Sequence, residues 1–232
     1  MGLLVPEMST ASTTMDSKFN YSFDFRGYHF IMLDSVKSSA PFGGHVDLTW
    51  LTNDLNSNLS KKTFVFMHHP AGDITQTIPT SESSGDVSLS DLQIDNKEDF
   101  QALVKSHKDH IACVFLSHLH DNNYYASDEA TGGVPFVRTS AALQFPMGFN
   151  IYKVYSGGFM QTFYKLTSTP ELPELARDLI NTGSGFTSDH LMQYWLGTSS
   201  ARNFIRTYSI LSNFAPSIVS ITPSSGATSV LK

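Results

Sequence analysis

Cysteine is close to absent from this sequence of 232 residues, with Cys113 the only one. No disulfide can form within the chain, and cysteine usage gives no clue to redox compartment. Cys113 sits in the apolar run Ile111–Leu116, where a small buried hydrophobe is the expected role. Clustered positive charge is lacking too. The 15 Lys and Arg are dispersed and the net charge is −6, which argues against a nucleic-acid backbone as partner. No apolar run reaches the ~18 residues of a membrane span. Met1–Pro6 has neither the charged n-region nor the length of a secretory signal. A Walker loop, a dinucleotide-binding glycine fingerprint and a serine-nucleophile motif are also missing.

Apolar side chains are plentiful. They make up 41% of the chain, with 17 phenylalanines among them, enough for a real core and against global disorder. Asn20–Phe25 alternates polar and apolar residues, Arg26-Gly27 marks a turn, and Tyr28–Leu33 follows, which predicts a hairpin. Leu48, Leu51 and Leu55 give Val46–Asn58 an amphipathic helical period. Thr63–Met67 and Ile111–Leu116 are continuous apolar runs, the pattern of strands buried on both faces. Between them, residues 71–90 read as a long loop and Asp99–His107 as a helix. Further strands are expected at Val134–Ser140, Phe149–Tyr155 and Phe159–Leu166, the last two joined by a turn at Gly157-Gly158. Past Pro170, residues 173–182 and 188–208 read as helices, the second capped by Ser188 or Asp189. Alternating strands and helices predict an α/β layered domain.

Three histidines carry the chemistry. His68 closes the first buried run, and His118 and His120 close the second. Functional groups in α/β sheets gather beyond the carboxyl ends of strands, and imidazole is a ligand for Zn, Fe, Mn or Ni. In extended backbone, residues two apart point the same way, so His118 and His120 are expected to converge with Leu119 turned into the core. Other candidates have two readings each. Tyr124 and Tyr125 could line a pocket or pack. Arg138 could bind phosphate or form a structural salt bridge. Arg202 and Arg206 have helical spacing and a solvated face as the default.

Thr63-Phe-Val-Phe-Met-His-His-Pro70 resembles the strand and His-x-Pro motif of calcineurin-like metallophosphoesterases, and Val114-Phe-Leu-Ser-His-Leu-His120 resembles their Gly-His-x-His motif. Tyr21–Ser35 and the Trp50-Leu-Thr-Asn-Asp-Leu55 helix are similar to the segments that precede them in the purple-acid-phosphatase-like branch. The resemblance runs from about residue 18 to about residue 166. It implies the second half of a layered β-sandwich flanked by helices. It also implies two Fe, Mn or Zn ions, with His68 and His118 on one and His120 on the other, acting on a phosphomonoester or phosphodiester. His69 fills the motif's variable position and is not assigned. Ser117 stands where the family has Gly, which bears on the loop's geometry.

The family's Asp-x-His pair, bridging Asp and Asn belong to a first half of the domain, yet the first Asp here is Asp16 and the first His is His29. The expectation is a tail of a longer protein or a degenerate homologue, and a poor phosphatase by itself. The rival is a non-catalytic surface or interaction domain on the same scaffold. Residues 1–168 are assigned to the metallophosphoesterase domain, 169–214 to a helical appendage, and 215–232 to a linker or the start of an Ig-like domain. The last rests on the resemblance of residues 215–229 to the opening of bacterial Ig-like surface domains and suggests an extracytoplasmic location. Lacking first-half neighbours, the strands at Thr63–Met67 and Ile111–Leu116 are expected to expose an edge that drives self-association or pairing with the missing half.

Overall fold

In the computed structural model, described over residues 8–11, 19–37, 43–72, 92–166, 171–184 and 195–208, a hairpin leads into two βα units. Strands β2 (Tyr21–Phe25) and β3 (Tyr28–Met32) pair antiparallel, with Arg26 and Gly27 at positive φ in the turn. Helix α1 (Leu48–Ser57) then crosses to β4 (Lys62–Phe66), and α2 (Lys97–Ser106) crosses to β5 (Ile111–Leu116). β3, β4 and β5 run parallel. With β1 (Met8–Ala11), β6 (Asn123–Tyr125) and β7 (Phe136–Arg138) they form a seven-stranded sheet in the order β1-β2-β3-β4-β5-β7-β6. A second sheet holds β8 (Gly148–Tyr155), β9 (Gly158–Lys165) and β10 (Phe204–Thr207) in the order β10-β9-β8.

Local chemistry explains the helices. The Asp47 carboxylate accepts from the Trp50 amide at 2.9 Å and caps α1. Leu51 and Leu55, one turn apart, then face the sheet and are fully buried. In α2, Phe100 and Val104 repeat the arrangement, and Gln101 donates to the Ala71 carbonyl at 2.6 Å. These side chains meet Ile31, Val65 and Val114 from one face of the sheet. Burying one such Leu or Phe is worth ~1.5–3 kcal/mol relative to exposure. The opposite face is aromatic: Tyr28, Phe64 and Phe115 pack with Phe159 of the smaller sheet. Alternation along β4 sends Val65 to the helices and Phe64 and Phe66 to the other side.

Several expectations change. β4 is flanked by β3 and β5, and β5 by β4 and β7, so neither presents the unpaired edge that was expected. The hairpin strands and the β6–β7 return, all C-terminal to residue 20, supply the missing neighbours. Within the stretch expected to continue helical to residue 208, Phe204–Thr207 is instead a strand on β9. Alternating exposure and backbone pairing to Gly158–Gln161 outweigh its weak helical period. Ahead of it stand α3 (Glu171–Ser184) and a single turn, α4 (Ser199–Arg202). Arg202 therefore ends a helix while Arg206 lies in a strand and donates to the Gly133 carbonyl at 2.7 Å. The β8–β9 turn sits one residue earlier than expected, since Tyr155 already pairs with Gly158. The loop residues 73–90, the caps Ser188 and Asp189, and residues 215–232 lie outside the described residues. Among the described residues no helix is long and apolar enough to cross a membrane.

Candidate metal centre

The carboxyl ends of β4 and β5 bring the histidines together. Ser117 N donates to the His68 carbonyl at 2.9 Å, tying the two post-strand turns side by side. Across that tie, His68 Nε2 and His118 Nδ1 lie 2.9 Å apart. His69 completes a group of three whose ligand atoms fall within 4.8 Å of one another. Its ring is 4.9 Å from His68 and 4.8 Å from His118.

Each imidazole is placed differently. His68 is solvent-exposed, His118 half-buried and His69 buried. His69 is fixed from behind: Ser35 Oγ is 2.9 Å from Nδ1 and accepts from the His69 amide at 3.1 Å. Gly44 closes this side because a Cβ there would come within 2.7 Å of the His69 ring. Burial of part of the His68 ring, and then the charge of His120, hold its pKa below the ordinary imidazole value. A neutral imidazole is the metal-binding form.

His118 and His120 do not converge as extended backbone would have them. Both occupy the left-handed region, with φ of 72° and 57°, and Leu119 N donates back to the Ser117 carbonyl at 2.9 Å. That is a γ-turn around His118, a strained conformation of the kind found at functional sites. It aims His118 at His68, while His120 Nδ1 turns to Gln144 Oε1. Leu119 stays half-buried outside the core. Ser117 avoids positive φ, and the left-handed residue of the turn is the histidine after it.

The remaining candidates are structural. Arg138 Nε and Nη2 donate to Asp121 at 2.8 and 2.7 Å, a buried bidentate pair, so of its two readings the structural salt bridge is the one the structure has. Tyr124 packs on Phe204 and Tyr125 on Phe136. The residue that sequence reasoning left out is His69. Its only signal was the His-His doublet, and nothing local shows that its ring turns inward.

The donor set fits one transition-metal ion. Tetrahedral nitrogen ligands at ~2.0–2.1 Å stand about 3.3 Å apart, so His68 and His118 would separate by a few tenths of an ångström and exchange their shared proton for the ion. Among the described residues no carboxylate joins this group, and nothing there offsets the repulsion between two ions.

No protein-family model and no curated protein matches the chain. Among solved structures, the chain is similar to a dimetal phosphatase from Danio rerio at 13% identity and a TM-score of 0.50, over 67% of this chain and 60% of that one. The likeness is one of fold alone, a mixed α/β arrangement. The chain spans about 60% of the length of that structure.

Proposed function

We propose that this chain carries the histidine-bearing part of a metal-dependent phosphoesterase site of the calcineurin-like kind, in its purple-acid-phosphatase-like branch. The observation that supports it is the convergence of His68, His69 and His118 at the carboxyl ends of adjacent parallel strands, in a fold like that of a dimetal phosphatase. His68 and His118 would hold one ion. His69, with Nδ1 at Ser35, would reach it through Nε2. His120 would serve a second ion on leaving Gln144. Bound there, the ions would polarise a phosphoester and supply a nucleophile at neutral pH. Fe, Mn and Zn all suit imidazole.

The chain's own residues do the positioning. The γ-turn holds His118 toward His68, and Ser35 fixes the His69 ring. Among the described residues the cluster has no bridging carboxylate of the kind a two-ion centre needs. By itself the chain should therefore bind metal and hydrolyse slowly. The carboxylate-free donor set also favours a second reading, a metal-binding interaction domain without catalysis. An extracytoplasmic location belongs to the same proposal, and a full gene without an export signal would count against it.

The deciding measurement is paired. Metal uptake is followed by calorimetry with Zn, Mn and Fe, and turnover is assayed with a phosphomonoester and a phosphodiester. Saturable uptake lost in His68→Ala, with turnover well below that of a two-ion enzyme, is expected. Absence of uptake would sink both readings. Fast, chelator-sensitive turnover would show that the chain holds a complete centre.

A further inference from the structure

His69 stands at the variable position of the His-x-Pro motif, yet the fold builds a seat for it. His69 and Ser35 are both buried, at 4% and 2% exposure. Ser35 Oγ meets His69 at the ring Nδ1 and again at the amide. Neighbouring segments hold this wall in place. His45 N donates to the Ser35 carbonyl at 3.0 Å, and Ile94 N to the Pro70 carbonyl at 3.0 Å. Gly44 N donates to the Gln93 carbonyl and Asp95 N to the Gly44 carbonyl, each at 2.9 Å. A Cβ at Gly44 would meet both the His69 ring and the Ser35 carbonyl at 2.7 Å, so only glycine leaves the ring its room. The imidazole is thereby seated between Ser35 on one side and the rings of His68 and His118 on the other.

That seat bears on which nitrogen holds the lone pair. A serine oxygen has two lone pairs. One accepts the His69 amide, and the other is placed to accept from Nδ1–H. With the proton on Nδ1, the lone pair of a neutral ring lies on Nε2. Metal-bound histidines are oriented in the same manner, with the second ring N–H donated to a nearby acceptor. His120 is likewise held at Nδ1, by Gln144, but it lies outside the group of three whose ligand atoms come within 4.8 Å of one another.

We infer that Ser35 is the positioning residue that makes His69, rather than His120, the third ligand of a nitrogen-only site for one ion beside His68 and His118. No carboxylate joins this donor set among the described residues. Imidazole nitrogens alone favour zinc or cobalt(II), whereas manganese(II) and magnesium favour carboxylate and carbonyl oxygen. The inference rests on the metal-binding part of the proposed function and not on phosphoester turnover.

The full chain is titrated with cobalt(II), followed by its visible absorption, and with zinc and manganese(II) by calorimetry. A single equivalent of cobalt(II) should give the intense bands of a four-coordinate ion, and zinc should bind far more tightly than manganese(II). Uptake of that ion should weaken far more in His69→Ala than in His120→Ala. Ser35→Ala should weaken zinc binding ~10- to 100-fold, the usual effect of removing a residue that orients a ligand. Ser35→Thr, which keeps the hydroxyl, should restore it. Should Ser35→Ala lose its fold by circular dichroism, long-range proton–nitrogen NMR of the zinc-loaded wild-type chain tests the same point. His69 should then carry its proton on Nδ1 and the metal on Nε2. The reverse assignment overturns the inference, as does uptake that depends on His120 and not on His69, or equal affinity for manganese(II) and zinc. Each of these leaves the phosphoesterase reading standing. Uptake of one ion through His69 without phosphoester turnover supports the inference and counts against that reading. No uptake of any ion overturns both.

Discussion

A histidine cluster and a lone histidine sit at opposite ends of the parallel part of the sheet, and their neighbours give them opposite characters. Beyond the carboxyl ends of β4 and β5, His68, His69 and His118 cluster without a carboxylate among them. At the start of β3, His29 is fully buried between two. Its Nδ1 is 2.7 Å from Asp24 and its Nε2 is 2.7 Å from Asp54. Ser22 donates to the other Asp54 oxygen at 2.7 Å, and Lys61 holds the far oxygen of Asp24 at 2.5 Å. Both His29 nitrogens face carboxylate oxygens, so both donate and the ring is an imidazolium. Such a ring has no lone pair to offer a metal and instead ties the hairpin to α1. The cluster at the carboxyl ends has instead imidazole against imidazole, His68 Nε2 beside His118 Nδ1 at 2.9 Å, with no carboxylate grouped with them among the described residues. A histidine's capacity to ligate is therefore set by whether carboxylates have already engaged both its nitrogens.

This contrast can be broken from either side. The largest effect is expected at the amino end: Asp54→Ala leaves a buried imidazolium with only half-exposed Asp24 for company and should cost ~3–5 kcal/mol in chemical denaturation. Metal uptake by the surviving folded chain should be unchanged, and a parallel loss of uptake would show that the two ends are coupled.

A smaller effect is expected at the carboxyl end. Zinc at one hundred times its Kd should stabilise the chain by about 2.7 kcal/mol, measured as a shift of the denaturation midpoint. His68→Ala, at an exposed position, should remove that shift while changing metal-free stability by no more than ~0.5 kcal/mol. A large metal-free loss would mean that the cluster is a structural element after all.

The smallest effect concerns pH. Burial opposes the charged form of His29, but its hydrogen bonds to Asp54 and Asp24 and their charges outweigh it and raise its pKa. Burial likewise raises Asp24, and Lys61 and His29 more than reverse that, lowering it. The raised His29 pKa stabilises the fold fully below its unfolded value of ~6.5 and loses that contribution as pH climbs through the folded value. The lowered Asp24 pKa stabilises above its unfolded value of ~3.9 and fails as pH falls through the folded one. The network should thus be strongest between roughly pH 4 and 6.5 and weaken on the alkaline side by at most ~1.4 kcal/mol per pH unit. An NMR titration placing His29 below 6.5 would contradict the imidazolium.

The two regions were unequally legible. His68 and His118 follow apolar runs, and the run, the strand and the carboxyl-end position form one local chain of inference. β2, β3, α1, α2 and β5 were legible for the same reason, because hydrophobic period and caps act within a few residues. His29 gave no such signal, since its partners lie 5 and 25 residues away in sequence. The strand β10 was hidden because its pairing to β9 joins residues 43 to 49 positions apart.

By itself, the sequence determined the strands and helices of the βα units, the end of the sheet at which the histidine motifs emerge, and a mixed α/β fold. Only the tertiary structure decided which imidazoles meet. His69 joins His68 and His118 because Ser35 and Gly44 turn its ring inward. His120 leaves them because left-handed backbone at two successive histidine positions breaks the alternation that extended chain would impose. The tertiary structure likewise engaged Arg138 and Asp121 with each other. The physical reason is common to all of these. Backbone period is a property of neighbours in sequence, whereas the direction and protonation of a side chain follow from groups brought near only when distant segments pack.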